Sequence, residues 1–261
     1  MSIALHVDPV VGIIDAISSW SWRQVLELSN TWMERFVFHP LIWPSVVTEF
    51  YNVSRDLSWS LIGIITILVA MRSLWPQLTG PWSRLAVPTF LERLVVAALI
   101  DLAGLGVVQS ALKINNALVS TLLGSAVGWT PAPVPSGALS PLAVLIASLA
   151  MVALMLYLAL FYAVRTIEVY LLTVAIPWFA LWWATRDDDD VLSNLSRELA
   201  VVIFIQAVHA GAFWLALRLM SASLGLTGFF LELAMLWYMT KIPGQLRRVI
   251  GAGTGVTQLW R

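Results

Sequence analysis

Long runs of apolar residues, separated by short polar stretches, occupy most of the chain after residue 57. A helix needs about 20 mostly apolar residues to cross the hydrocarbon core of a bilayer. The pattern predicts transmembrane spans at 58–75, 89–124, 141–164, 167–185 and 199–223. The alternating pattern typical of membrane barrels does not occur in the sequence. We therefore predict an all-α protein, a polytopic transmembrane helical bundle.

Two apolar regions do not fit a single span by length. Residues 89–124 are too many for one upright crossing, which predicts a long tilted helix or a helix plus an interfacial segment. Residues 225–240 are apolar but few and contain Glu232, so they predict a sixth span, a re-entrant piece or an interfacial helix. We favour five true spans.

The segment before the first predicted span is less apolar. Residues 8–54 contain two weakly amphipathic stretches, and Pro40 and Pro44 interrupt the chain after the second stretch. Such stretches predict N-terminal amphipathic helices that lie on the bilayer or pack on the protein's own spans. The predicted organisation is an interfacial region at 1–57, a transmembrane domain at 58–240 and a short basic tail at 241–261.

Composition supports lipid as the solvent of this chain. Hydrophobic residues make up 59% of it and charged residues only 11%, whereas a soluble domain carries about 25% charged residues. The 14 Trp side chains suit the headgroup zone of a membrane. The chain contains no cysteine, which excludes disulfides and thiolate metal sites.

Ionisable residues within apolar windows are the candidate functional residues, because a charge at membrane depth is costly. Asp101 is predicted to be the deepest, with Arg93 two helical turns before it and Lys113 three turns after it. It could form a proton or ion site. An interhelical salt bridge or hydrogen bond that holds the bundle together is the alternative that we favour.

Further along the chain, Arg165 and Glu168 are three residues apart and are predicted to pair on one helix face; a contact to a partner subunit is the alternative. His209, three residues after Gln206, could relay protons, but hydrogen bonding between helices is the favoured interpretation. Glu232 has the same ambiguity.

Two loop motifs suggest ligands but lack the required pattern. The acidic run 187–190 lacks the ligand spacing and glycine of a calcium loop, so it predicts a solvated turn that caps the next helix. The glycines at 251–255 do not follow a strand and do not match a phosphate-binding loop. We predict no catalytic, cofactor-binding or metal-binding residues, and no enzyme.

Three stretches occur in a characteristic order. The first is RLVVAALIDLAGLGVVQSALKINNALVSTLLG, a helix rich in small residues that ends in an asparagine-containing segment with Asn115. The second is RTIEVYLLTVAIPWFALW, with Arg165, Glu168 and Pro177. The third combines the span containing Gln206 with KIPGQLRRVIG. From about residue 85 onward, this order resembles the TrbL-type polytopic subunit of type IV secretion and conjugation systems.

The resemblance implies a function and partners. Such subunits are inner-membrane platform proteins that form rings, with a pentamer as the expected homo-oligomer. They act with pilin, a minor pilus-tip protein and secretion ATPases, in contact with membrane lipid, and translocated DNA or protein passes nearby. This chain departs from the family in lacking a long soluble C-terminal extension and in having Asp101, which matches no family feature.

The distribution of Lys and Arg around the predicted spans slightly favours an N-terminus outside and a C-terminus in the cytoplasm. The alternative function is a small-molecule or ion transporter or permease subunit. It predicts a polar site at the membrane midplane, for which Asp101, Pro177 and His209 are the candidates, but the internal repeat common in transporters is missing from the sequence.

Overall fold

A computed structural model describes residues 12–13, 16–17, 20–21, 24, 32–74, 87–124, 141–185, 190–222 and 226–252 of the chain. These residues form helices and short connections, with no β-strand among them. A π-helical turn at Met33–Val37 precedes six α-helices. They are α1 (Ser45–Leu74), α2 (Val87–Gly124), α3 (Pro141–Thr185), α4 (Asp190–Ala222), α5 (Leu226–Met239) and α6 (Ile242–Ala252). The predicted all-α class is confirmed.

Four of these helices, α1 to α4, are long and apolar enough to cross a membrane. The predicted spans at 141–164 and 167–185 are wrong as separate spans, because α3 runs through both without a break. Pro177 lies inside this helix, and Arg165 does not end it. A proline in a transmembrane helix is tolerated when neighbouring groups bond the backbone that it frees.

The other boundaries also differ in detail from the sequence-based ones. The first membrane helix begins at Ser45 instead of residue 58, directly after Pro44. Residues 89–124 form one helix with the two residues before them, as in the first of the two alternatives. The amphipathic helices predicted for 8–54 lie largely outside the described residues; the described part contains the π-helical turn and the start of α1.

The chain after α4 contains two short helices. The 14 residues of α5 correspond to about 21 Å of helix, less than the roughly 30 Å of the hydrocarbon core. Length therefore argues against a sixth span at 225–240. The predicted tail contains α6, an 11-residue helix with Pro243 in its first turn. Backbone N–H groups in the first turn make no hydrogen bond within the helix, so a proline there costs none.

The chain divides into two compact units. The first combines Met1–Pro40, Ala117–Val164 and Ile205–Gln245. Its buried apolar side chains come from the π-helical turn, the end of α2, the first part of α3, α4 and α5, and include Met33, Val119, Met151, Leu158, Ala210 and Leu236.

The second unit combines Leu41–Asn116, Arg165–Phe204 and Leu246–Arg261. Its core takes side chains from α1, α2, the second part of α3 and the first part of α4, among them Tyr51, Val108, Leu112, Val169, Val174, Leu199 and Val202. A smaller cluster joins Ala97 of α2 to Ala180 and Ala184 of α3. Small residues such as these allow the backbones of membrane helices to approach closely.

Candidate functional site: polar side chains buried between helices

Most of the predicted site residues are buried in the single chain. Asp101, Asn115, Arg165, Gln206 and His209 are all buried polar residues, and Pro177 is fully buried as well. Arg93 is half-buried, and the Glu168 side chain is 40% exposed. Because a buried polar group costs free energy unless it is bonded, the partners of these residues reveal what each one does.

Asp101 lies at a contact of three helices in the second unit. Its Oδ2 is 3.4 Å from the Ser58 hydroxyl of α1, and that hydroxyl is 3.2 Å from the carbonyl oxygen of Pro177 in α3. The residue is 0% exposed. Its other oxygen, Oδ1, is buried without a hydrogen-bond partner among the described residues. The favoured interhelical hydrogen bond is present, and it leaves one oxygen unmatched.

Two further bonds hold α1 against the same region. The Tyr51 hydroxyl donates to the backbone carbonyl of Asp101 at 2.8 Å, and the Ser54 hydroxyl donates to the carbonyl of Val174 at 2.7 Å. Gly104 permits this approach, since a Cβ there would lie 3.0 Å from an Ile176 methyl carbon and 3.1 Å from the Tyr51 oxygen. The polar groups of α1 thus bond to carbonyls on both neighbouring helices.

Arg93 does not pair with Asp101 as its spacing had suggested. Its guanidinium lies 5.3 Å from the centre of the Trp183 ring and 3.5 Å from the Trp183 carbonyl oxygen. Lys113, the other predicted neighbour, is exposed. The half-buried guanidinium of Arg93 thus packs against an aromatic ring on the second part of α3, a favourable cation–π arrangement.

Arg165 and Glu168 have separate partners. Arg165 is only 2% exposed, and its guanidinium donates to the carbonyls of Val202 and Ile203 in α4 at 2.7 and 2.8 Å. Glu168 instead lies 3.6 Å from Arg247 of α6. Residues three apart on a helix differ in direction by about 60°, so one can face the bundle while the other faces outward. The predicted Arg165–Glu168 pair is therefore wrong.

Arg247 connects two acidic residues on different helices. It lies 2.6 Å from Glu198 of α4 as well as 3.6 Å from Glu168 of α3. All three side chains are between 40% and 48% exposed. This cluster belongs at a surface in contact with water or lipid headgroups, because charges in hydrocarbon are costly.

Gln206 fastens the segment after the π-helical turn to α4 in the first unit. Its side-chain amide donates to the carbonyls of Val37 and His39 at 2.9 and 3.0 Å. The ring of Phe38, between these two residues, packs on Phe213 with centroids 5.3 Å apart. Gln206 therefore satisfies two backbone acceptors, one at the last residue of the π-helical turn and one two residues beyond it, which is a structural role.

His209 is held from both sides. Its Nδ1 lies 2.5 Å from the Tyr162 hydroxyl of α3, and its Nε2 lies 3.0 Å from the carbonyl oxygen of Met239 at the end of α5. A carbonyl only accepts, so Nε2 carries the hydrogen, and in a neutral ring Nδ1 accepts from Tyr162. The favoured interhelical bonding of His209 agrees with these contacts.

The remaining sequence candidates contribute less. Asn115 is fully buried, and its amide nitrogen lies 3.5 Å from the Asn116 side-chain oxygen. The Glu232 side chain, residues 187–189 and residues 253–255 lie outside the described part of the chain. No group of three or more His, Cys, Asp or Glu side chains among the described residues could hold a metal ion.

Sequence reasoning missed the partners that complete these arrangements. Ser54, Ser58 and Tyr51 precede or begin the first predicted span, and Tyr162 appears in the sequence as one aromatic residue among many. One signal was available: Ser54 and Ser58 are four residues apart and so share a helix face, as does Tyr51, three residues earlier.

No family model matches the chain, and no curated protein or solved structure shows significant similarity to it.

Proposed function

We propose that this chain is a platform subunit of a type IV secretion-like conjugation or DNA-transfer machine in the cytoplasmic membrane. It would work as a homo-oligomer that supports pilus assembly and substrate translocation, with secretion ATPases supplying the energy. The resemblance of residues 85 onward to TrbL-type subunits suggests the machine. The observation that carries the proposal is the length and exposure of α3.

The 45 residues of α3 correspond to about 68 Å of helix, against a hydrocarbon core of roughly 30 Å. Even with a tilt near 40°, the upper end of the usual range, one crossing accommodates only about 26 residues. The exposed charge cluster around Glu168 also divides the helix into two apolar parts. A single crossing therefore does not cover the whole of α3.

Both parts nevertheless expose large apolar side chains in the single chain. Leu149 is 72% exposed in the first part and Leu171 is 59% exposed in the second. Large exposed apolar surface marks an interaction site when lipid does not cover it. Further copies of the chain, packed side by side around an axis, would cover the part of α3 that lipid leaves exposed.

The buried polar side chains support a scaffold as well. Arg165, Gln206 and His209 all direct donors at backbone carbonyls of neighbouring segments. Such bonds fix the positions of helices and connections relative to each other. The donors that make them are occupied by backbone carbonyls, whereas a transport or catalytic site would present such donors to a substrate. A platform protein needs this rigidity and leaves the chemistry to its ATPase partners.

Mild detergent extraction followed by native mass spectrometry tests the assembly. We expect one discrete species of several copies, five if the resemblance extends to stoichiometry. Of Leu149→Arg in the first part and Leu171→Arg in the second, at least one should reduce the copy number, whereas Leu149→Met and Leu171→Met, which keep the volume and polarity, should not. A chain that stays monomeric in every mild detergent would contradict the platform.

Genetic complementation tests the machine. Deleting the gene in its host should abolish transfer of DNA or protein by the host's secretion system, and the wild-type gene should restore it. Affinity purification from the restored strain should recover the pilin, the tip protein and the ATPases of that system. Unchanged transfer after deletion would contradict the proposal.

The orientation proposed for this subunit places α6 in the cytoplasm. Arg247 and Arg248 lie on this helix, and basic residues near membrane helices favour the cytoplasmic side.

The unmatched oxygen of Asp101 favours a second candidate, a small-molecule or ion transporter. Pro177 lies at the same place inside the continuous helix α3, and a buried polar group beside a proline is compatible with a transporter site. Purified protein that remains monomeric and accumulates an ion in proteoliposomes would support the transporter instead of the platform.

A further inference from the structure

We propose that Asp101 is a proton-binding site whose carboxyl group carries a hydrogen at neutral pH and donates it to Ser58. This inference concerns the second unit alone and does not depend on the secretion machine.

Counting hydrogens around Ser58 leads to this assignment. The hydroxyl has one hydrogen but lies within reach of two acceptors, the Pro177 carbonyl at 3.2 Å and Asp101 Oδ2 at 3.4 Å. The carbonyl has no hydrogen of its own to give and is the nearer of the two. If Ser58 donates to it, the contact with Oδ2 needs a hydrogen from Asp101.

The rest of the carboxyl group agrees with a neutral acid. Asp101 is fully buried, and Oδ1 has no hydrogen-bond partner among the described residues. A carboxylate would then be buried with at most one donor for two charged oxygens, a costly state in apolar surroundings. A protonated carboxyl avoids that cost, since its hydrogen bonds to Ser58 and its remaining oxygen is uncharged.

The charged and titratable groups on the neighbouring helices leave this assignment intact. On α1, Tyr51 donates to the backbone carbonyl of Asp101, and Arg55 interacts with the carboxyl electrostatically but forms its ion pair with Asp56 at 3.6 Å. On α2 itself, Arg93 is directed at Trp183. The described contacts of α3 with this site come from Pro177, which is not titratable.

Infrared spectroscopy of the full chain in lipid nanodiscs tests the proposal directly. A protonated carboxyl has a C=O stretch well separated from that of a carboxylate. At neutral pH, in buffer with choline as the only monovalent cation, we expect this band in the wild type and its loss in Asp101→Asn, which is nearly isosteric.

Two serine variants provide the control. Ser58→Ala removes the acceptor, so the band should remain and shift to higher frequency. Ser54→Ala removes a hydroxyl of the same helix, one turn earlier, that bonds to Val174 and not to the carboxyl; the band should stay where it is. If the frequency of the carboxyl band does not change in Ser58→Ala, the assigned hydrogen bond from Asp101 to Ser58 is refuted.

Other results would overturn the site itself. Wild-type and Asp101→Asn spectra that do not differ in the region of the protonated carboxyl band at neutral pH would show a carboxylate. Loss of the band when sodium replaces choline would show that a metal cation, not a proton, occupies the site. If Asp101→Asn does not fold, the carboxyl band of the wild type is followed as the pH is raised, and it should disappear when the carboxyl group loses its proton. If Ser58→Ala does not shift that band, the proposal is still refuted.

A thermal measurement gives an independent readout. The folded protein would hold a proton that the unfolded chain releases at neutral pH, so the unfolding temperature of the wild type should fall relative to Asp101→Asn as pH rises. A difference between the two proteins that stays constant with pH would count against the proton.

Discussion

His209 in the first unit and Asp101 in the second are both buried polar side chains that need hydrogen-bond partners, but in the part of the chain that the structure describes only His209 has a partner for each of its polar atoms. Both residues are fully buried on membrane helices. Both ring nitrogens of His209 have a partner, the Tyr162 hydroxyl and the Met239 carbonyl. Asp101 shares one serine hydroxyl with a carbonyl, and its second oxygen has no partner among the described residues.

The difference arises from the groups that helices offer to a buried side chain. The backbone N–H groups inside a helix are used by its own ladder, while each carbonyl oxygen keeps a second lone pair. A side chain that can donate therefore finds partners on a neighbouring helix, and one that only accepts does not. Asp101 fits this environment when it carries a hydrogen.

Arg165 extends the comparison to the strongest donor in the core, and we expect the largest effect there. Arg165→Met keeps much of the side-chain volume but removes both bonds to the carbonyls of α4. We expect a loss of about 3 kcal/mol in unfolding free energy, because bonds from charged groups are strong. Chemical denaturation in detergent measures it, and Arg165→Lys, which keeps the charge without the two-pronged geometry, should recover only part of the loss.

His209→Phe tests the two hydrogen bonds of the His209 ring. The ring stays, but the Met239 carbonyl and the Tyr162 hydroxyl both lose their partner. We expect about 2 kcal/mol of destabilisation in the same denaturation assay. Tyr162→Phe removes one of the two bonds and should cost roughly half as much; a Tyr162→Phe variant as damaged as His209→Phe would mean that the bond to Met239 contributes little.

Gly104→Ala tests how tightly the helices close around Asp101. The added Cβ would lie 3.0 Å from an Ile176 methyl and 3.1 Å from the Tyr51 oxygen. We expect a loss of about 1 kcal/mol, since such overpacking outweighs the helix propensity gained. Gly106→Ala on the same helix, where no atom lies within 4 Å of the new Cβ, should be neutral or slightly stabilising. The difference in unfolding temperature between the two variants is the measurement.

Arg247→Gln should have the smallest effect, because its acidic partners are already accessible to solvent. The ion pairs with Glu198 and Glu168 involve side chains that are 40% to 48% exposed, and such pairs contribute about 0.2–1 kcal/mol. The loss should shrink further when salt is added to the denaturation assay. A large effect that salt does not change would show that this cluster is as protected as the sites of Asp101 and His209.

The sequence predicted the long helices because their apolar composition is a local property. It also named Asp101, Arg165, Gln206 and His209 as candidate polar contacts inside the membrane domain, and it favoured bonding between helices for Asp101 and His209. It did not predict that α3 continues past Arg165, because the two carbonyls of α4 that accept from the buried guanidinium are distant in sequence.

The partners were harder to predict than the residues that need them. Ser58 reaches Asp101 only because α1 and α2 pack in a particular register, and Tyr162 reaches His209 only because α3 and α4 do. One-dimensional spacing contains no information on that register. For the same reason, the sequence spacing wrongly paired Arg165 with its neighbour Glu168. Glu168 instead contacts Arg247, 79 positions further along the chain.

The continuity of α3 also changes the parity of the topology. Five crossings would bring the two ends of the membrane domain to opposite faces. If α1 to α4 each cross once, the number of crossings is even, and the two ends of the membrane domain lie on one face of the membrane. Reporter fusions at Met1 and after Arg248 would then report the same compartment.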